Sequence, residues 1–395
     1  MKHRNFKFAS AAIAALMAVA LVATATPAFA VGPNVMNANV TAGPAGTGVN
    51  GVYGHITVCV PGTTTCQVIG GLLIDTGSFG LRIFRQALTI KLPAETSNGE
   101  MVAECAFFGS ATAWGRIGLA DVKLAGEPKI RNLPVQLINP AFPIPGGRPG
   151  ACEQTGVPLA QTPQQENFNG ILGVGLLQYD GSFTDYFACT ASSCGTIPAP
   201  PLDQQVQNPV PLLAADNNGV MLSLPLLPSA GSPPLSGRLV FGINTRPNNQ
   251  VPAGFTAFSA DPANLMFTTS FGGKMAFDSF IDSGSNGYFF HDSGLPLCTG
   301  AVPSWYCPAA LTMLQATTIG SDTINSETKL LFINNATDLF STGNRAFLDL
   351  GADIGEGSGF FDWGLPFFFG RQVFVGIAGQ SISGVTEPTP LWIYK

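Results

Sequence analysis

Charge is scarce in this chain, and histidine scarcer still. Asp, Glu, Lys and Arg together make up 11% of the 395 residues, and there are three histidines. Eighteen Lys and Arg stand against 24 Asp and Glu, so there is no basic surplus with which to hold nucleic acid or an anionic membrane. No Cys-x-x-Cys occurs, and beyond residue 30 the only histidines are His55 and His291, which argues against zinc. Gly-x-Ser-x-Gly is absent too, and with it the nucleophile elbow of an α/β-hydrolase. Beyond residue 30 no apolar run approaches the length needed to cross a bilayer. Neither metal nor cofactor is expected, and no stable membrane insertion.

The start of the chain carries a different pattern. Lys2, Arg4 and Lys7 precede an apolar stretch from Ala9 to Val22, and Ala28-Phe29-Ala30 follows as a small-x-small cleavage site. Residues 1–30 thus read as a secretory signal peptide, and the product as periplasmic or extracellular. Removing those three basic residues leaves 15 against 24 acidic ones, a net charge of −9. Low charge with 47 Gly and 31 Pro suits a β-rich, turn-dense exported fold. All eight cysteines lie beyond the signal, and an even number in an oxidising compartment reads as disulfides. Their spacing invites Cys59–Cys66, Cys189–Cys194 and Cys298–Cys307, which leaves Cys105–Cys152.

Two stretches organise the rest. Leu72-Leu73-Ile74-Asp75-Thr76-Gly77-Ser78-Phe79 runs three aliphatic residues into an Asp, a hydroxyl residue and a Gly, and Ser279-Phe280-Ile281-Asp282-Ser283-Gly284-Ser285 repeats the phrase. A bare Asp-[Thr/Ser]-Gly arises by chance in roughly one chain in six of this size, and a single copy is most often a capped turn. Here both copies also share a preceding apolar doublet, a following Ser and a return to apolar residues. A carboxylate at a strand end, followed at once by a Gly turn, is held stiffly beside backbone N–H groups. Two copies suggest two half-sites brought face to face.

In chain order, residues 31–49 read as a loose lead-in without Lys or Arg, too short for a basic propeptide. Val52–Val60 and Cys66–Ile74 read as a hairpin that delivers Asp75 to a strand end. Short β runs follow from Ala103 to Leu124 and from Leu133 to Ile138, then a Pro/Gly-rich loop to Pro163. Asn169-Gly170-Ile171-Leu172-Gly173 supplies an apolar doublet and a close-approach glycine, matched later by Phe368-Phe369-Gly370. Strands are expected at Val220–Leu227 and Arg238–Ile243, with a lobe boundary near Pro228, giving lobes 31–228 and 229–395. Few segments look helical, and Pro308–Thr317 is one candidate. Asn217-Asn218-Gly219 reads as a hairpin turn, Asp349–Glu356 as a solvated acidic turn, His291-Asp292 as a surface loop and Phe367–Phe374 as a core strand.

The order of these landmarks resembles that of the pepsin-like aspartic proteases. It comprises Asp75-Thr76-Gly77-Ser78, Phe108-Gly109-Ser110 through Trp114-Gly115 and Gly118, Asn169–Gly173, Phe241-Gly242, Asp282-Ser283-Gly284-Ser285 and Phe368-Phe369-Gly370. Ser279–Gly287 and Phe361–Arg371 look more specifically like a bacterial secreted family catalogued as a domain of unknown function. The resemblance implies a bilobal β fold with a cleft, and a monomeric endopeptidase acting on peptide or protein substrates. Asp75 and Asp282 would share a proton and hold the attacking water. Thr76 and Ser283 would lock the two loops, Gly77 and Gly284 would let N–H groups approach the carboxylates, and Ser78 and Ser285 would bond their outer oxygens. Phe108, Gly109 and Trp114 would cover or line the cleft, while Ile171-Leu172-Gly173 and Phe368-Phe369-Gly370 would pack beneath the active loops. The chain departs from that pattern at Phe108, where the proteases carry a Tyr, at Arg82 for a Trp, and at Arg371 for an Asp. A non-catalytic binding or inhibitor protein on the same scaffold is the alternative.

Overall fold

The computed structural model describes residues 32–395 apart from 145, 154, 155, 199 and 358; the signal-peptide expectation therefore lies outside the described residues. The fold is mostly β. Gly-rich, weakly charged sequence cannot sustain helices, and alternating apolar positions bury one face of each strand. The described helices are short, among them Pro163–Glu166 and Ala336–Ser341.

Among the described residues the strands form two sheets, one of sixteen strands and one of seven. The hairpin read around Asp75 is present as Gly51–Cys59 and Cys66–Asp75, paired antiparallel. Glu100–Phe107 and Thr112–Leu124 form a second hairpin in the same sheet, and Ile130–Ile138 extends it. Strand Lys274–Ile281, which leads into Asp282, belongs to the smaller sheet. One buried cluster contains Ile74 and Leu172 from the larger sheet and Ile281 and Trp363 from the smaller, so the two Asp-bearing strands share a core.

Several local expectations are corrected. The lead-in holds a strand, Val35–Thr41, whose Met36, Ala38 and Val40 are buried at the period of two. It pairs with Leu235–Phe241, so residues about two hundred positions apart share one sheet. The proposed helix is a strand, Thr312–Ile319, paired along its whole length with Ser326–Ile333; its three β-branched Thr and terminal Ile favour the sheet. Asn217-Asn218-Gly219 is not a hairpin turn. Asn218 instead bridges segments, accepting from Ile243 N–H and donating to the carbonyls of Ile243 and Ser381, and Gly219 opens the strand Gly219–Ser223. The Phe-rich run divides into a 3-10 turn, Leu365–Phe368, and the strand Gln372–Gly376.

The acidic segment after 349 is not simply solvated. Asp349 is fully buried; its Oδ2 accepts from Asn334 at 3.1 Å, while its Oδ1 has no partner. Burial raises its carboxyl to about 6. The sign follows directly: an acid whose pKa is higher folded than unfolded stabilises the fold less as it ionises. This contribution is greatest in acid, declines from about pH 4 to pH 6 and is flat above. Asp349→Asn should flatten that slope and raise the unfolding free energy at pH 7 by up to about 3 kcal/mol, and urea titrations at pH 4 and pH 7 would show it. An unchanged slope would reject this assignment.

Four disulfides join Cys59–Cys66, Cys105–Cys152, Cys189–Cys194 and Cys298–Cys307. These bonds fit an exported protein, and among the described residues no helix is long and apolar enough to cross a membrane. Cys105–Cys152 closes the longest loop, spanning 47 positions against 5 to 9 for the others. Loop-closure entropy then predicts that replacing both with Ser lowers stability by about 4 kcal/mol, against about 2 kcal/mol for Cys59–Cys66. Denaturant midpoints of the two double variants should fall in that order.

Candidate active site

Each Asp loop grows out of the same three-strand arrangement. Leu72–Asp75 runs parallel to Gly170–Gly173, and the strand after the loop, Phe79–Phe84, returns antiparallel along the other edge of that strand. In the second half Asp278–Ile281 runs parallel to Phe360–Trp363, and Tyr288–Phe289 returns antiparallel to Asp362–Trp363. The register gives the equivalences: Ile74 opposes Leu172, and Ile281 opposes Trp363. The counterpart of Ile171-Leu172-Gly173 is therefore Asp362-Trp363-Gly364, and the assignment to Phe368-Phe369-Gly370 is wrong. Composition pointed elsewhere, because the Phe doublet looks like an apolar doublet, whereas strand register selects an Asp-Trp pair six residues earlier. Both true glycines are sterically required. A Cβ on Gly173 would lie 2.7 Å from the Phe79 backbone, and one on Gly364 would lie 2.0 Å from the Gly287 carbonyl oxygen.

The two loops interlock through their hydroxyls. Thr76 Oγ1 accepts from Ser283 N–H at 2.9 Å and donates to the Ile281 carbonyl at 3.0 Å. Ser283 Oγ accepts from Thr76 N–H at 3.1 Å and donates to the Ile74 carbonyl at 2.8 Å. Around the carboxylates the pattern also repeats. Gly77 N–H donates to Asp75 Oδ1 at 2.8 Å and the Ser78 hydroxyl donates to its Oδ2. Gly284 N–H donates to Asp282 Oδ1 and the Ser285 hydroxyl to its Oδ2, each at 2.7 Å.

The carboxyl groups face one another. A Cβ on Gly77 would sit 2.6 Å from Asp282 Cγ, and one on Gly284 would sit 2.8 Å from Asp75 Oδ1. Only glycine leaves the two acids room to meet. Burial pushes the Asp75 carboxyl well above its ordinary range. The Asp282 charge and a hydrogen bond between the two side chains raise it further, against the lowering bonds from Ser78 and Gly77. The pair therefore carries a proton into a pH range where an isolated Asp would have lost it.

A cleft of about 840 Å³ opens above the pair. Phe108 and Gly109 line it from the tip of the hairpin between Glu100–Phe107 and Thr112–Leu124, where Phe108 N–H donates to the Ala111 carbonyl. Trp114, expected in the cleft, is not there. It is fully buried on the opposite face of its strand, its Nε1 donating to the Phe142 carbonyl at 2.7 Å and Phe187 edge-on at 5.4 Å. Alternation explains the placement, since Ala113 of that strand, and Ala111 just before it, face the cleft. Sequence reasoning missed Phe280, Phe289 and Asp362, which line it from the second half. The lone carboxylate in Phe360-Phe361-Asp362-Trp363 was the available signal.

The other departures are structural. Arg82 is buried, its Nη2 2.6 Å from Glu104 Oε1 and 2.5 Å from Asp180 Oδ2, and Tyr186 donates to the other oxygen of Asp180. Burial alone would weaken its charge, but the two carboxylates more than offset this and raise its pKa. Arg371 lies over the Phe367 ring at 4.7 Å and donates to the Phe367 carbonyl. His291 Nδ1 meets Asp353 Oδ1 at 2.8 Å. Among the described residues no group of three or more His, Cys, Asp or Glu could hold a metal ion.

No curated protein matches the chain. A family model described as "Protein of unknown function (DUF3443)" matches residues 30–394. A match over that span shows the family, and the chain belongs to it.

Proposed function

We propose that this protein is an exported aspartic endopeptidase, periplasmic or extracellular, acting as a monomer on peptide or protein substrates without metal or cofactor. The observation that carries the reading is the face-to-face Asp75–Asp282 pair on mirrored loops at the floor of a peptide-sized cleft. Two carboxyls held together share one proton, so one is charged and the other is not. The charged member accepts a proton from a bound water as that water attacks the peptide carbonyl, and the protonated member donates to the carbonyl oxygen. Both acids need their loops held rigidly, which the Thr76–Ser283 lock supplies. The same reading takes the fold as bilobal and pepsin-like, with lobes 31–228 and 229–395 each contributing one Asp. The repeated three-strand arrangement around each loop supports this.

A second reading, a non-catalytic peptide-binding protein, is favoured by one observation: Phe108 at the hairpin tip has no hydroxyl to bond a substrate or an attacking water. Digestion of an unfolded protein mixture across pH 3 to 7, with and without a statine-type transition-state inhibitor, separates the two. Acid-favoured cleavage blocked by the inhibitor is expected; folded protein that cuts nothing at any pH would leave only the binding reading.

A further inference from the structure

The duplicated register places Asp362 and Ile171 at equivalent positions. Leu73 pairs with Ile171 and Phe280 with Asp362, each pair beginning two residues before its Asp, and all four side chains line the cleft. One half thus presents an aliphatic pair, and the other an aromatic residue beside a carboxyl. Asp362 is 7% exposed, and its Oδ1 has no hydrogen-bond partner. The nearby Ser285 hydroxyl already donates to Asp282 Oδ2. A nearly buried carboxyl with no cationic partner among the described residues is destabilising, whereas the buried Glu104 and Asp180 are both paired with Arg82.

The surroundings say what would complete it. Asp75, Asp282, Glu166 and Asp362 line the cleft, and among the described residues no Lys or Arg does. Phe280 and Phe360 meet edge-on beside Asp362, with centroids 6.3 Å apart, and the Phe280 side of the cleft is an apolar wall suited to the aliphatic stem of an incoming side chain. We propose that Asp362 makes the second-half side of the cleft a subsite for a cationic side chain, lysine or arginine, of a bound peptide. The proposal rests on the peptide-cleft reading above and adds the class of peptide. Burial first, and then the charges of Asp282 and Asp75, hold the Asp362 carboxyl well above its ordinary range. A bound guanidinium supplies the missing countercharge, so Asp362 ionises and a proton is released on binding.

The test uses octapeptides in which one Arg moves along an apolar sequence, with norleucine at the same position as control. Binding and cleavage are read at pH 5 for wild type, Asp362→Asn, Asp362→Ile and Asp75→Asn, with thermal melts to verify folding. Asp362→Ile copies the packing of the first half and guards against a misfolded Asn variant. At one position Arg should bind wild type and Asp75→Asn about 10- to 100-fold more tightly than norleucine, the worth of a charge-assisted pair. Both Asp362 variants should lose that discrimination while still binding the norleucine peptide. Equal affinity for the two peptides in wild type, or discrimination unchanged in a folded Asp362 variant, overturns the subsite. Arg-selective binding without cleavage would instead remove the peptidase reading and leave the subsite standing.

Discussion

Asp75→Asn and Asp282→Asn should each reduce acid-favoured peptide cleavage by about ten-thousand-fold or more in kcat/KM, the scale seen when one member of a catalytic unit is removed. The physical reason is that neither acid works alone. An amide in place of either Asp cannot take a proton from water, and it leaves no proton to be shared with the remaining carboxylate. The double variant should be no worse than the singles, because the machinery fails as a unit. Neither substitution should harm the fold. At pH 7 each variant should melt no lower than wild type, since it relieves the burial and like-charge repulsion that raise Asp75. The pH profile has a definite sign: activity needs one proton on the pair, so it falls as pH rises through the pair's upper apparent pKa, which those same effects displace upward. Stable variants that retain wild-type cleavage would place the activity elsewhere.

Thr76→Val and Ser283→Ala should each cost about 2–4 kcal/mol of stability, more than the removal of one ordinary hydrogen bond. Thr76→Val keeps the shape but strands the Ser283 N–H and the Ile281 carbonyl, while Ser283→Ala strands the Thr76 N–H and the Ile74 carbonyl. Both side chains are 2% exposed or less, so water cannot replace the lost partners without opening the junction. Because the two hydroxyls serve one junction, the double variant should lose less than the sum of the singles by about 1 kcal/mol or more. Chemical denaturation of the four proteins in a double-mutant cycle measures this directly. Strict additivity would mean that the loops are held independently. Cleavage should fall in both singles as the carboxyls lose their alignment, with the pH profile keeping its shape, since the titrating pair is intact.

How far the chain could be read depended on whether a feature was local. The two Asp-hydroxyl-Gly-Ser phrases, the hairpin ahead of Asp75 and the paired cysteines are short-range patterns, and each sits in the structure where its residues suggested. Hydrogen bonds from Gly77 and Gly284 to their own Asp span two residues and were equally legible. The strand in the lead-in was not legible because its Asn and Ala residues offset the β preference of Val35, Val40 and Thr41 until Leu235–Phe241 arrives from two hundred residues away to pair with them. Thr312–Ile319 became a strand for the same reason, through its partner Ser326–Ile333.

Composition and period alone determined a β-rich, disulfide-bonded chain with two carboxylates poised at strand ends. Tertiary structure decided what those carboxylates meet. It turned Trp114 away from the cleft, buried Arg82 between Glu104 and Asp180, and moved the second-half doublet from Phe368-Phe369 to Asp362-Trp363. In each case the deciding quantity was strand register, and a shift of one residue exchanges the faces of a strand. Register is settled by pairing across long stretches of chain, where no local pattern records it. Asp362 therefore enters the cleft only through the pairing of Phe360–Trp363 with Asp278–Ile281.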